Sequence, residues 1–97
     1  MMHSLLIVWL SEAVTEKDDL LDYIAEYSVV TALGLNEHIS RQIDQLIEFP
    51  FIGRKGRIPD TFELVISHTP YIVAYRIQGN AVQILHVFHE RRNWPPK

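Results

Sequence analysis

From Ser11 onward in this chain of 97 residues the apolar spacing changes once, at Pro50, from steps of three or four to steps of two. Before the proline, positions Ala13, Lys17, Leu20, Leu21, Ile24 and Tyr27 recur at helical spacing, while Asp18, Asp19, Asp22 and Glu26 take the opposite face. A second stripe follows in Ala32, Leu35, Ile39, Ile43, Leu46 and Ile47, opposed by Asn36, Glu37, Arg41, Asp44 and Glu48. Ser11 and Ser28 stand where a hydroxyl would cap the two helices. Gly34 weakens the second by about 1 kcal/mol relative to alanine. Pro50 stops it, because the residue before a proline disfavours the helical region. Two amphipathic helices with so short a connection must turn back as an antiparallel pair.

After Pro50 the chain reads as strands. Residues 50–60 hold two prolines and two glycines and are expected to form a loop. Phe62, Leu64 and Ile66 then alternate with Glu63 and Ser67, and Tyr71, Val73, Tyr75 and Ile77 alternate with Ala74 and Arg76. Gly79-Asn80 is a two-residue hairpin signal, after which Val82, Ile84, His86 and Phe88 are placed on one face. At the other end, Leu5 to Leu10 is apolar on both strand faces and is expected to be covered on both sides. The expected class is α+β, a single domain over residues 1–97. Its order is strand-helix-helix-strand-strand-strand, with a helical hairpin packed on a small antiparallel sheet.

Such a chain can bury one core but no deep cavity. It has no cysteine, which excludes disulfides and thiol chemistry. The apolar run at Leu5–Leu10 is too short for a signal peptide or membrane span, so a cytoplasmic protein without membrane contact is expected. The net charge of −3 hides an asymmetry. Residues 1–49 carry two cations against nine acids and residues 50–97 seven cations against three, nets of −7 and +4. The second half therefore either faces an anionic partner or attracts the first half within the fold.

None of the strong phosphate-loop, dinucleotide or metalloprotease motifs occurs. His86 and His89 are offset by three, which on a strand puts them on opposite faces unless the strand ends between them, so no metal site is expected. Arg54, Lys55 and Arg57 share a glycine-bearing loop that suits a phosphate or stands solvated. His89-Glu90-Arg91-Arg92-Asn93-Trp94 is denser: the guanidiniums fit phosphate or carboxylate, and the indole can stack on a base or fill an apolar pocket. The alternative is that Trp94 folds back on the sheet and the arginines pair with the acidic helices. Arg76, in mid-strand, faces either a concave sheet surface or open solvent. The cations near the carboxyl end are expected to gather over one surface.

The ordered set Asp22-Tyr23-Ile24-Ala25, Leu46 with Glu48-Phe49-Pro50, Ile52-Gly53-Arg54, Glu63-Leu64-Val65-Ile66, Tyr71 to Arg76, and Ile84 to His89 with Arg92 and Trp94-Pro95 resembles the RelE/ParE toxin superfamily through nearly the whole chain. The resemblance implies a growth inhibitor of the plasmid-stabilisation kind. It would be held inactive in a hetero-oligomer by a cognate antitoxin that wraps it with a helix and an extended segment, and no cofactor is implied. ParE-like members poison DNA gyrase; RelE-like members cleave messenger RNA on the ribosome.

Metal-free RNA cleavage needs a base, an acid and cations around the phosphate. Where the nuclease branch commonly has a basic residue after the tyrosine of the third segment, this chain has Ile72, and where it often has arginine before Glu-Leu-Val, this chain has Phe62. The leading expectation is therefore ParE-like binding. Arg54, Lys55, Arg57, Arg76, Arg91, Arg92 and Trp94 would face the target or the antitoxin. The alternative is an mRNA endonuclease in which Arg76 and Arg91 stabilise the phosphate, His89 is the acid and Glu63 or Glu90 the base. A third reading is a non-toxic binding member.

Overall fold

The computed structural model describes residues 5–92 and consists of two helices against one five-stranded sheet. In chain order these are β1 (Leu6–Trp9), α1 (Ser11–Ala25), α2 (Val29–Asp44), a 3₁₀ turn at Gln45–Ile47, β2 (Arg54–Lys55), β3 (Phe62–Val65), β4 (Tyr71–Gln78) and β5 (Ala81–His89). The sheet order is β1-β5-β4-β3-β2. The class is α+β as expected, but the sheet is mixed rather than wholly antiparallel. β1 runs parallel to β5, from Leu6 opposite Ala81 to Trp9 opposite Ile84. The helical hairpin is long enough to serve as the crossover that brings a later strand into the sense of β1. Inside the loop at 50–60, Arg54 and Lys55 add a short strand opposite Glu63 and Phe62.

α1 and α2 cover one face of the sheet. Ile39, Ile43 and Leu46 from the second stripe pack with Val73, Tyr75, Val82, Ile84 and Val87 as a core, with Ala13 the fully buried residue of α1. The Ser28 hydroxyl accepts the Thr31 N–H at 3.1 Å, capping α2 as expected. Ser11 does not cap α1; it is the first helical residue, and Leu10 holds the cap position with no side-chain bond. The first stripe also ends sooner than its spacing implied. Tyr27 lies beyond α1, 76% exposed, with its ring edge-on to Tyr23. Lys17 fits the stripe by lying over the Trp9 ring, 4.6 Å from its centre.

Two strand expectations are corrected. β1 is covered on one side only: Ile7 and Trp9 pack on the core, whereas Leu6 and Val8 are exposed on an edge strand. In β5, Tyr75 pairs with Ile84 but Ala74 with His86, which leaves Leu85 as a bulge. That extra residue reverses the phase. Val82, Ile84 and then Val87 face the helices, while His86 and Phe88 turn to the other face, where Phe88 packs with Ile72, Ala74 and Ile58. The hairpin at Gly79-Asn80 is as expected, with Gly79 at φ 61°, a conformation glycine adopts without strain.

Candidate functional site

The face of the sheet turned away from the helices carries a transverse row of chemistry. Arg54 on β2 lies opposite Glu63 on β3, Glu63 opposite Ala74 on β4, and Ala74 opposite His86 on β5. Glu63 alternates in β3 with Phe62 and Leu64, a phase in which an acid would ordinarily meet water, yet it is only 2% exposed. Its Oε1 accepts from Arg54 Nη2 at 3.0 Å and Nε at 3.3 Å, its Oε2 accepts the Arg57 backbone N–H at 3.1 Å, and the Arg57 guanidinium lies 3.6 Å away. A buried carboxylate needs such donors, since burial without them is costly. Arg54 and Arg57 thus brace the loop, and Lys55 beside them is exposed.

From the other side Tyr75 holds the same loop. Its hydroxyl donates to the Pro50 carbonyl at 2.8 Å and accepts the Gly53 N–H at 3.0 Å. Burial raises the Tyr75 pKa, with partial opposition from the bond to Gly53. A Cβ at Gly53 would stand 2.6 Å from that hydroxyl, so glycine is required there. Beyond the loop, a cleft of about 480 Å³ opens between Ile58–Thr61 and the start of α1. Ala74, Arg76, Leu85 and His86 line it. Arg76 is solvent-exposed, its Nε donating to Gln83 Oε1 at 2.7 Å.

At the far end of β5, Glu16 of α1 gathers three groups. Its Oε1 accepts the Val87 N–H at 3.0 Å and lies 3.2 Å from His86 Nδ1, and its Oε2 lies 3.5 Å from Arg92 Nη1. His89, with its ring edge-on to Tyr71, accepts the Arg91 N–H on Nδ1 at 3.0 Å. The Arg91 side chain is exposed. Trp94 and Asn93 lie outside the described residues.

The structure therefore divides the cations: Arg54 and Arg57, seated on Glu63, share the helix-free face of the sheet with Arg76, while Arg92 lies against α1. Arg76 and His89 are also apart. His89 pairs with Tyr71 in a helix-facing register, Arg76 points to the opposite face, and five strand positions, about 17 Å, separate the two along β4. Among the described residues no group of three or more His, Asp or Glu is placed to hold a metal ion. No helix of the described residues is long and apolar enough to cross a membrane. Glu16 and Tyr75 escaped sequence reading as site residues, and His86 was weighed there only as a metal partner of His89; Glu16 meets Val87 across 71 positions, a separation that leaves no local pattern.

A separate exposed surface lies at the turn of the helical hairpin. Tyr23, Tyr27, Val29, Val30 and Leu33 are all solvent-exposed there, Val30 at 80%. A hydrogen bond with Tyr27 raises the Tyr23 pKa above its ordinary value, with the neighbouring Glu26 adding to the effect. Contiguous apolar surface of this kind marks interaction sites.

Residues 7–94 match the family model described as the ParE toxin of the type II toxin–antitoxin system, parDE. Y4kP of Sinorhizobium fredii, a protein named as a toxin, is 38% identical over 89 residues, spanning 92% of both chains. Toxin RelE2 of Caulobacter vibrioides is 26% identical over 86 residues, 89% of this chain and 96% of that one. A chain of the chromosomal ParDE TA system from P. aeruginosa is similar in fold, with a TM-score of 0.80 at 23% identity, covering 91% of this chain and 98% of that one.

Proposed function

The chain belongs to the ParE toxin family of type II toxin–antitoxin systems, and from that premise we propose that it arrests growth by binding DNA gyrase rather than by cutting messenger RNA. The observation that carries this reading is the dispersal of the nuclease set. Arg76 and His89 occupy opposite sheet faces, and Glu63, a conceivable base, is buried beneath Arg54 and Arg57. General acid–base cleavage asks for an acid, a base and phosphate-binding cations within hydrogen-bond reach of one phosphodiester. Binding asks only for an exposed surface. Arg76, Arg91 and Lys55, exposed cations of the basic half with no ion pair among the described residues, would contribute to it, and Trp94 is assigned to the same role.

A cognate antitoxin is the second partner. The apolar turn of the helical hairpin is the surface we assign to it, because Asp22 of α1 and Glu26 at its C-cap, both exposed, one next to Tyr23 in sequence and the other one turn from it, put negative charge beside that patch, and a basic amphipathic helix complements both features. The test is to induce the toxin without antitoxin and follow both targets. Intact messages by primer extension, with DNA breaks that carry covalently linked gyrase, are expected. Discrete codon-phased cuts in messages would overturn the reading in favour of the endonuclease. Growth unaffected by induction would leave a non-toxic binding member.

A further inference from the structure

Where β1 ends, β5 continues. The Leu10 N–H still donates to the Ile84 carbonyl at 3.0 Å, but beyond that point β5 has no strand on its outer side. α1 fills the place, and Glu16, five positions into it, accepts the Val87 N–H as a neighbouring strand's carbonyl would. Its second oxygen faces the Arg92 guanidinium at 3.5 Å. Arg92 belongs to the turn that leaves β5, a turn closed by the Arg92 N–H on the His89 carbonyl at 2.9 Å and tied back to β4 by the Glu90 N–H on the Pro70 carbonyl at 2.7 Å. Arg91, between them, is exposed, and its guanidinium enters no ion pair found among the described residues. The adjacent arginines therefore have different circumstances.

We propose that Glu16 is a positioning residue: it docks the turn at 90–92 onto α1, engages Arg92 within the molecule, and so leaves Arg91 as the cation this turn presents to an acidic group of the partner protein. The assignment of a partner rests on the toxin reading; the docking does not. His86, 3.2 Å from Glu16 and 3.9 Å from Glu12, adds a third group to the junction. Asp19 and Tyr71 line the small hollow beside it, so Arg92 also lies near a second carboxylate of α1.

Two measurements test this. In the purified chain, amide hydrogen exchange of Glu16→Gln is expected to leave Val87 protected, since the side-chain carbonyl of glutamine still accepts. The Arg92 amide should exchange about two- to fivefold faster, the range an exposed ion pair commands. Arg92→Ala, at a half-exposed position that leaves the core intact, should speed exchange at residue 92 to the same extent. The double variant should go no further, because both remove one interaction. Arg92→Lys should restore protection. In cells, Arg91→Ala should raise the inducer level needed for growth arrest by about tenfold, and Arg92→Ala by clearly less. Unchanged Arg92 exchange in Glu16→Gln, or additive effects in the double variant, overturns the docking. Equal losses from Arg91→Ala and Arg92→Ala overturn the division of roles. Should the parent chain fail to arrest growth, the toxin reading fails while the exchange measurements still decide the docking.

Discussion

The hydroxyl of Tyr75 joins two stretches of backbone that have no ladder of their own, donating to Pro50 and accepting from Gly53. Tyr75→Phe leaves a carbonyl and an amide without that partner. It is expected to cost about 1–3 kcal/mol in urea unfolding; a variant as stable as the parent would mean water replaces the hydroxyl freely. The same residue sets an alkaline limit. Burial raises its pKa in the folded chain above the unfolded 10.0. Below pH 10 the phenol is protonated in both states and its contribution is complete. As pH rises through the unfolded and then the folded value, the unfolded chain sheds its proton first and stability falls. The melting temperature of the parent should therefore drop faster than that of Tyr75→Phe above pH about 10. Glu63 gives a second residue-level expectation. Glu63→Ala strands the Arg57 amide and should cost about 2–3 kcal/mol, and Arg54→Ala, which withdraws two donors from a carboxylate only 1% exposed, should cost about 1–3 kcal/mol, with the Arg57 amide and guanidinium left to hold the charge. The burial of Glu63 was not legible in the alternation of Phe62, Leu64 and Ile66 with it, because an acid in an alternating strand normally faces water. Its partners lie six and nine positions upstream in a loop whose path no periodicity describes.

At the scale of elements, legibility followed the period. Both helices were readable: Ala13 of the first stripe and Ile39, Ile43 and Leu46 of the second pack on the sheet, and Ser28 caps α2, although its α-helical turns end at Asp44, before Pro50. Ile43→Ala removes a side chain only 1% exposed in that stripe and should cost about 2–5 kcal/mol; a loss below 1 kcal/mol in denaturant melts would contradict the buried stripe. β5 was only half readable. Ile84, Leu85, Val87 and Phe88 are all apolar, so one inserted residue changes which of them face the helices without changing the pattern of letters. Deleting Leu85 should put Val87 and Phe88 on the wrong faces and abolish cooperative unfolding, while Leu85→Ala, with the bulge kept, should unfold cooperatively. β1 misled for a related reason. A run apolar on both faces reads as a central strand, yet here one of its faces stays exposed at the edge of the sheet.

At the scale of the molecule, the charge asymmetry divides between two uses. Part is spent inside the fold, where Arg92 meets Glu16 of α1. The rest remains outside, with an acid-flanked apolar patch at the turn of the helical hairpin and cations displayed elsewhere. If the two surfaces serve different partners, they should be separable by substitution. Val30→Asp with Leu33→Asp adds charge to side chains that are already exposed, 80% and 65%, so folding should change by about 0.5 kcal/mol or less. The same carboxylates would repel nothing at the basic surface, and induction should still arrest growth. Against a basic amphipathic helix, however, they remove the apolar anchors on which such docking depends. Co-expressed antitoxin should then fail to rescue growth, with its affinity in titration calorimetry down at least about a hundredfold. Rescue undiminished by the double substitution would place the antitoxin on another surface. Loss of both arrest and rescue would mean that target and antitoxin compete for the hairpin turn.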